Sequence, residues 1–266
     1  MAKLNFKEKW VLVTGASSGL GREIARYLAE KENAHLVIAA RRKERLQALK
    51  QEIEAACNSR VEVLEADVGS AKGVDQLFKK SIKIANIYAV VNNAGITFYG
   101  TSTESDLDFF EKIITVNLMA VARLSLKFLS YFLQKGEGAL LNISSEAAFV
   151  PIPYQNVYSA SKHAVQAFTE GLYMEYRKSG IVISSAAPGG IATEMLTLSG
   201  LDKKHGMESP FNMKAEAAAR KVVKAFKKKK FVYIPGFVNK LTVFLIRFFP
   251  RKWVARMTEL IYRPPS

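Results

Sequence analysis

"VLVTGASSGLGREIARYL", residues 11–28, decides how the rest of the chain is read. An apolar run ends in a polar residue, three glycines follow (Gly15, Gly19 and Gly21), and an amphipathic helical pattern begins. Glycine has no Cβ, so a chain of this kind can turn tightly and let a ligand approach its backbone. A helix that starts inside such a turn presents unpaired N–H groups and the positive end of its dipole. Glycines alone would indicate only a tight turn. Placed between a strand and a helix, they read as a cradle for a dinucleotide pyrophosphate.

The same alternation continues outward. "HLVIAAR", "RVEVLEAD", "YAVVNNAG", "ALLNISS" and "IVISSAAPG" are short apolar runs that end in small or polar residues. Helical patterns separate them, the longest from Leu107 to Lys135 and from Ser159 to Gly180. Strands that are apolar throughout belong in a parallel sheet covered on both faces. The expectation is an α/β fold: a Rossmann-type, doubly wound parallel sheet of about seven strands. No composition break divides residues 1–266, so a single domain is expected, with 194–213 as a substrate loop and 236–266 as a C-terminal extension.

The second strand discriminates between cofactors. A ribose 2′-OH is usually held by an acid near its end. Here "VIAARRKE" (37–44) puts Ala40 in that place and two arginines after it. A guanidinium can grip a phosphate bidentately, so Arg41 points to NADP(H) over NAD(H). Arg42 reads as the solvated start of the next helix.

Tyr158 and Lys162 stand four residues apart in "YSASK" and would share one helical face. A lysine cation beside a phenol favours phenolate and should lower the tyrosine pKa. Such a pair makes a general acid/base only where it borders a reacting centre. His35, His163 and His205 show no metal-ligand spacing and read as surface residues.

Taken together, these motifs resemble the short-chain dehydrogenase/reductase (SDR) family. The matching segments are "TGASSGLG" (14–21), "ADV" (66–68), "NNAG" (92–95), "VN" (116–117), "NISS" (142–145), "YSASK" (158–162) and "APGGIAT" (187–193), in the family's order and spacing. The resemblance implies a catalytic tetrad of Asn117, Ser145, Tyr158 and Lys162. Ser144 would be structural, and Asn117 would help hold a proton-relaying water. It further implies that Ser17 and Leu20 complete the pyrophosphate turn and that Asp67 and Val68 meet the adenine. Asn93, Ala94 and Gly95 would line the cofactor, Pro188, Gly189, Ile191 and Thr193 would surround the nicotinamide, and Lys162 would also hold the nicotinamide ribose. Family members are commonly dimers or tetramers.

The totals limit the remaining choices. Of 39 Lys and Arg against 24 Asp and Glu, giving +15, residues 214–266 hold 14 and 2. That basic segment suits an anionic partner. No nucleic-acid motif accompanies it, which disfavours nucleic acid. The single cysteine, Cys57, allows no intrachain disulfide, and the N-terminus lacks an apolar signal core, so a cytoplasmic protein is expected. In the loop, Met195, Leu196 and Leu198 suggest an apolar lid. In the tail, Phe244, Phe248, Phe249 and Trp253 are interleaved with Arg247, Arg251, Lys252 and Arg256. That mixture suits a peripheral membrane contact, a subunit interface, or a cover over the substrate cleft. The expected activity is reduction of a ketone or aldehyde, or its reverse, on an apolar lipid-, acyl- or steroid-like substrate. Against it stands a non-catalytic dinucleotide-binding protein at a membrane surface.

Overall fold

A computed structural model describes residues 2–201 and 212–264. The apolar runs form β1 (Trp10–Thr14), β2 (His35–Ala40), β3 (Val61–Glu65), β4 (Ile87–Asn92), β5 (Ala139–Ile143) and β6 (Val182–Ala186). A two-residue β7 (Ile191–Ala192) pairs with β8 (Met213–Lys214), and β9 (Val232–Tyr233) joins the main sheet. That sheet has seven parallel strands in the order β3-β2-β1-β4-β5-β6-β9. The fold is therefore the doubly wound α/β arrangement expected from the alternation.

The strands are apolar throughout because both faces are covered. Side chains alternate across a strand. In β1, Val11 and Val13 join one core and Leu12 the other; in β2, Leu36 and Ile38 divide in the same way from Val37 and Ala39. Helices α1 (Gly19–Glu32) and α2 (Lys43–Ala56) cover the first face with α8 (Ala215–Lys227). Helices α3 (Ala71–Ile84), α5 (Ala120–Lys135) and α6 (Asn156–Tyr176) cover the second. Truncating a fully enclosed member such as Ile38 to Ala should cost about 2–5 kcal/mol.

The stretch 107–135 is not one regular helix. It divides into α4 (Leu107–Ile114), a π-helical turn (Thr115–Met119) and α5. The π turn carries Asn117. By length and composition Leu107–Lys135 could cross a membrane, but half of its most apolar window is buried, as in a core helix.

A polar ladder crosses the second core. Asn92 of β4 donates to Ser125 at 2.9 Å and to Asn142 at 2.8 Å, and Asn142 donates to Thr169 at 2.9 Å. All four side chains are buried. They tie β4 and β5 to α5 and α6 directly under the strand ends, where an unsatisfied amide would be costly.

His35 departs from the surface reading. Its ring is buried against Trp10, and its Nδ1 accepts from the Arg60 N–H at 3.1 Å. As the first residue of β2 it follows the strand into the core. His163 is half-buried with Nδ1 2.9 Å from the Ser159 carbonyl; His205 lies outside the described residues. Cys57 ends α2, its thiol directed at the Ile53 carbonyl.

β1 lies between β2 and β4, and the chain reverses its direction of travel across the sheet there. In such folds the crevice beyond the strand ends at this point is where ligands bind.

Candidate active site

The glycine turn follows β1, and its geometry requires its glycines. Gly15 and Gly19 have φ of +68° and +55°. A Cβ on Gly15 would lie 2.8 Å from the Ala94 Cα, and one on Gly21 would lie 2.3 Å from Asn93 Nδ2. Asn93 donates to the Thr14 carbonyl at 3.0 Å, while Thr14 Oγ1 accepts from the N–H groups of Asn93 and Ala94. The "NNAG" segment is thus locked to the turn. Ser18 at the start of α1 makes no capping bond with its side chain, so the helix N-terminus is not closed by it. Leu20 anchors the helix in the core.

Of the two arginines, it is Arg42 that reaches the glycine turn. Arg41 is exposed, whereas Arg42 bends back onto the glycine turn, donating to Ser18 at 2.8 Å and to Ser17 at 3.1 Å. It also donates to Glu194 at 2.9 Å, and Arg45 donates to the other oxygen of the same carboxylate. These bonds, Arg45 first, hold Glu194 below the usual carboxylate pKa. Strand β2 ends at Ala40, and the bend at Arg41 turns the next side chain towards the loop. That is why Arg42 is not merely the solvated start of α2.

Thr193 packs on this turn from the far end of the chain: a Cβ on Gly19 would sit 3.0 Å from its methyl group. Pro188 accepts from the Glu146 N–H at 2.9 Å and from Ser145 Oγ. Ile191 is held in β7. Asp67 and Val68 follow β3, with Asp67 accepting from the Gly69 N–H at 2.9 Å and Val68 packing on the core.

The four expected catalytic side chains converge at the strand ends. Ser145 follows β5, its hydroxyl near enough to the Tyr158 phenol to lower its pKa. Lys162 lies one helical turn further along α6, buried, with Nζ 5.7 Å from the Tyr158 ring centre and donating to the Ile143 carbonyl at 3.0 Å. A Cβ on Gly95 would be 3.3 Å from Asn117 Oδ1 and 3.7 Å from Lys162 Nζ, which puts all three groups together. Asn117 accepts from the Ile96 N–H and donates to the Ile96 carbonyl, both at 2.9 Å, and donates to Ser161 at 3.0 Å. Ser144, by contrast, donates to the Lys162 carbonyl and so braces α6.

The electrostatics differ from the sequence expectation. Burial pushes the Tyr158 phenol above its usual pKa; the Ser145 hydrogen bond lowers it and Glu146 raises it. The expected lowering by Lys162 is not among the causes: loss of water around the phenol is the largest and sets the direction. Burial also depresses Lys162 to about 8. The pair is enclosed more than it is ion-paired.

Four participants were not legible as such in the sequence. Arg45 and Glu194 carry no motif. Tyr262, in the C-terminal tail, lies close enough to Glu146 and Tyr158 for both to raise its pKa, after burial, the larger cause. Asn239, also in the tail, sits over Gly189: a Cβ there would be 2.3 Å from its Nδ2 and 2.7 Å from Glu146 Oε2. Only the aromatic, basic composition of the tail signalled a cover for the cleft.

Comparison with known proteins agrees with this geometry. Residues 9–204 match the model of the family described as short chain dehydrogenase. A very-long-chain 3-oxoacyl-CoA reductase of Anas platyrhynchos is 34% identical over 194 residues, 71% of this chain and 62% of that protein. An uncharacterized oxidoreductase of Staphylococcus epidermidis is 33% identical over 196 residues, 73% of this chain and 82% of that protein. This chain thus spans less than two thirds of the avian relative's length. Among solved structures, a short-chain dehydrogenase from Sphingobium yanoikuyae in complex with NADPH has 28% identity and a TM-score of 0.81, covering 91% of this chain and 96% of that one. The chain belongs to the short-chain dehydrogenase family.

Proposed function

We propose that this protein is an NADP(H)-dependent oxidoreductase that reversibly reduces a ketone or aldehyde to an alcohol on an apolar substrate, lipid-, acyl- or steroid-like. The observation that carries this reading is the convergence of Ser145, Tyr158 and Lys162 beside Gly95, at the strand ends next to the glycine turn.

The residues present suit a nicotinamide dinucleotide. The turn at Gly15, Ser17, Gly19, Leu20 and Gly21 opens on an uncapped helix N-terminus, and Asn93, Ala94, Gly95, Pro188, Gly189, Ile191 and Thr193 surround the crevice beside it. Asp67 and Val68 would border the adenine. Arg42 and Arg45, with Arg41 at the entrance, offer guanidinium groups where a 2′-phosphate would extend. The NADPH bound by the Sphingobium relative supports the same preference.

When bound, the dinucleotide supplies the hydride. Ser145 would hold the substrate oxygen and polarise the carbonyl. Tyr158 would pass its proton to that oxygen, and its raised pKa keeps the phenol protonated and available for reduction. Lys162 would hold the ribose hydroxyls and return a proton to Tyr158. Asn117 would place Ser161 and the Ile96 turn beside Lys162.

The name of the avian relative supports an acyl or other lipid-like substrate. A cytoplasmic location with peripheral membrane contact, and assembly as a dimer or tetramer, belong to the same proposal. The test is NADPH oxidation over a panel of apolar carbonyls by the protein and its Tyr158→Phe variant. Equal rates in the two would sink the enzymatic reading and favour a dinucleotide-binding protein without turnover.

A further inference from the structure

Two helices form the C-terminal tail, α9 (Phe237–Leu245) and α10 (Arg251–Tyr262). Val254, Thr258 and Tyr262 recur every fourth residue of α10 and so share one face. That face lies on the cleft. Val254 is buried, and Thr258 donates to the Pro151 carbonyl at 2.8 Å. The Tyr262 carbonyl accepts from the Tyr99 hydroxyl at 2.8 Å, and its side chain lies by Tyr158 and Glu146.

The opposite face is turned away from the protein. Phe237 is 80% exposed, Phe248 72%, Trp253 63% and Leu260 66%. Among the described residues, eleven of the eighteen exposed large hydrophobics fall between Phe237 and Ile261. A concentration of this kind marks an interaction surface.

Charge identifies the occupant. Lys240, Arg247, Arg251, Lys252 and Arg256 lie among these apolar residues, and the one acid of the tail, Glu259, is paired with Arg263. A second copy would bring like charges together across the contact. An anionic lipid surface would neutralise the cations and accept the aromatic side chains at the headgroup boundary.

We propose that residues 237–262 are an interfacial lid. The outer face docks on an anionic bilayer, and docking draws Tyr262 away from Tyr158, so that an apolar carbonyl enters the cleft from the lipid. The entry of substrate rests on the reductase reading; the docking does not.

The purified 266-residue chain is mixed with phosphatidylcholine vesicles containing or lacking phosphatidylglycerol. Sedimentation should recover it with the anionic vesicles only, less so at high salt. NADPH oxidation with a long-chain ketone should rise several-fold on those vesicles. Nitration of Tyr262, read by mass spectrometry, should rise with it. A Phe248→Ser, Trp253→Ser double variant should lose sedimentation and activation, yet reduce a small water-soluble ketone without vesicles at the wild-type rate. Tyr262→Ala should bring vesicle-free turnover of the long-chain ketone close to the vesicle-bound wild-type level.

Equal binding to neutral vesicles, binding only to an acidic protein, or self-association through this face would overturn the docking. Docking with unchanged Tyr262 nitration would overturn the lid. No turnover of any carbonyl under any condition, with vesicle binding and increased nitration intact, would remove the reductase reading and leave the interfacial lid standing.

Discussion

Arg42 and Glu194, 152 residues apart in sequence, are joined by a hydrogen bond of 2.9 Å at the rim of the glycine turn. The carboxylate fastens the start of α7 (Glu194–Ser199) to α2, where Arg45 meets its other oxygen. A 2′-phosphate would compete with Glu194 for the same two guanidinium groups.

This makes cofactor preference measurable. Arg42→Ala should weaken NADPH binding about 10–100-fold, the value of a lost charge-assisted hydrogen bond, and change NADH binding little. Glu194→Gln should tighten NADPH severalfold by removing the competing anion. Arg41→Asp should also act more strongly on NADPH, but less than Arg42→Ala. Fluorescence titration with both cofactors decides; equal losses for NADPH and NADH in Arg42→Ala would refute the assignment.

Ser145 and Tyr158 should separate binding from chemistry. Tyr158→Phe removes the proposed proton donor and should lower kcat about 10²–10⁴-fold, with NADPH affinity nearly unchanged. Ser145→Ala should lower kcat in a similar range, since it removes one proposed donor to the developing charge. Steady-state kinetics and a binding titration on each variant provide the check. A pure KM effect in both would contradict these two roles.

Lys162 predicts a pH dependence of stability. Its folded pKa, about 8, lies below the unfolded value near 10.5, because burial disfavours the cation. Between these values the unfolded chain binds the extra proton, so the lysine's contribution makes stability rise with pH across that window. Below about 8 both states are charged and the full penalty is present, on the order of 3 kcal/mol. Lys162→Met should therefore be inactive yet no less stable at pH 7. Its advantage over the wild type should shrink between about pH 8 and 10.5 in urea denaturation series. A gap independent of pH would show that Lys162 is not desolvated.

Gly189→Ala tests how the tail meets the site. The added methyl would fall 2.3 Å from Asn239 Nδ2, which is itself tied to the Pro235 carbonyl at 3.2 Å, and 2.7 Å from Glu146 Oε2. Overpacking of this kind should cost about 1–3 kcal/mol and lower Tm. Asn239→Ala in the same chain should restore part of the loss. If the double variant melts where the single one does, Asn239 is not the obstacle.

Period and spacing made much of the molecule legible. Strands that are apolar on both faces announced a covered parallel sheet, and the glycines after β1 announced a turn that a Cβ would obstruct. Tyr158 and Lys162 could be paired because a helix places every fourth residue on one side. The π turn around Asn117 could not be foreseen, because it is one extra residue in an otherwise regular apolar helix.

What the sequence alone determined were the local patterns: the alternation of strands and helices, the glycine turn, and the order of the motifs. The tertiary structure decided everything that depends on the distance between remote segments and on loss of water. It set Arg42 rather than Arg41 against the turn, joined Glu194 to α2, and laid Tyr262 beside Tyr158. It also reversed the expected shift of the Tyr158 phenol, since burial, the largest cause, is a property of the packed chain that no local spacing reveals.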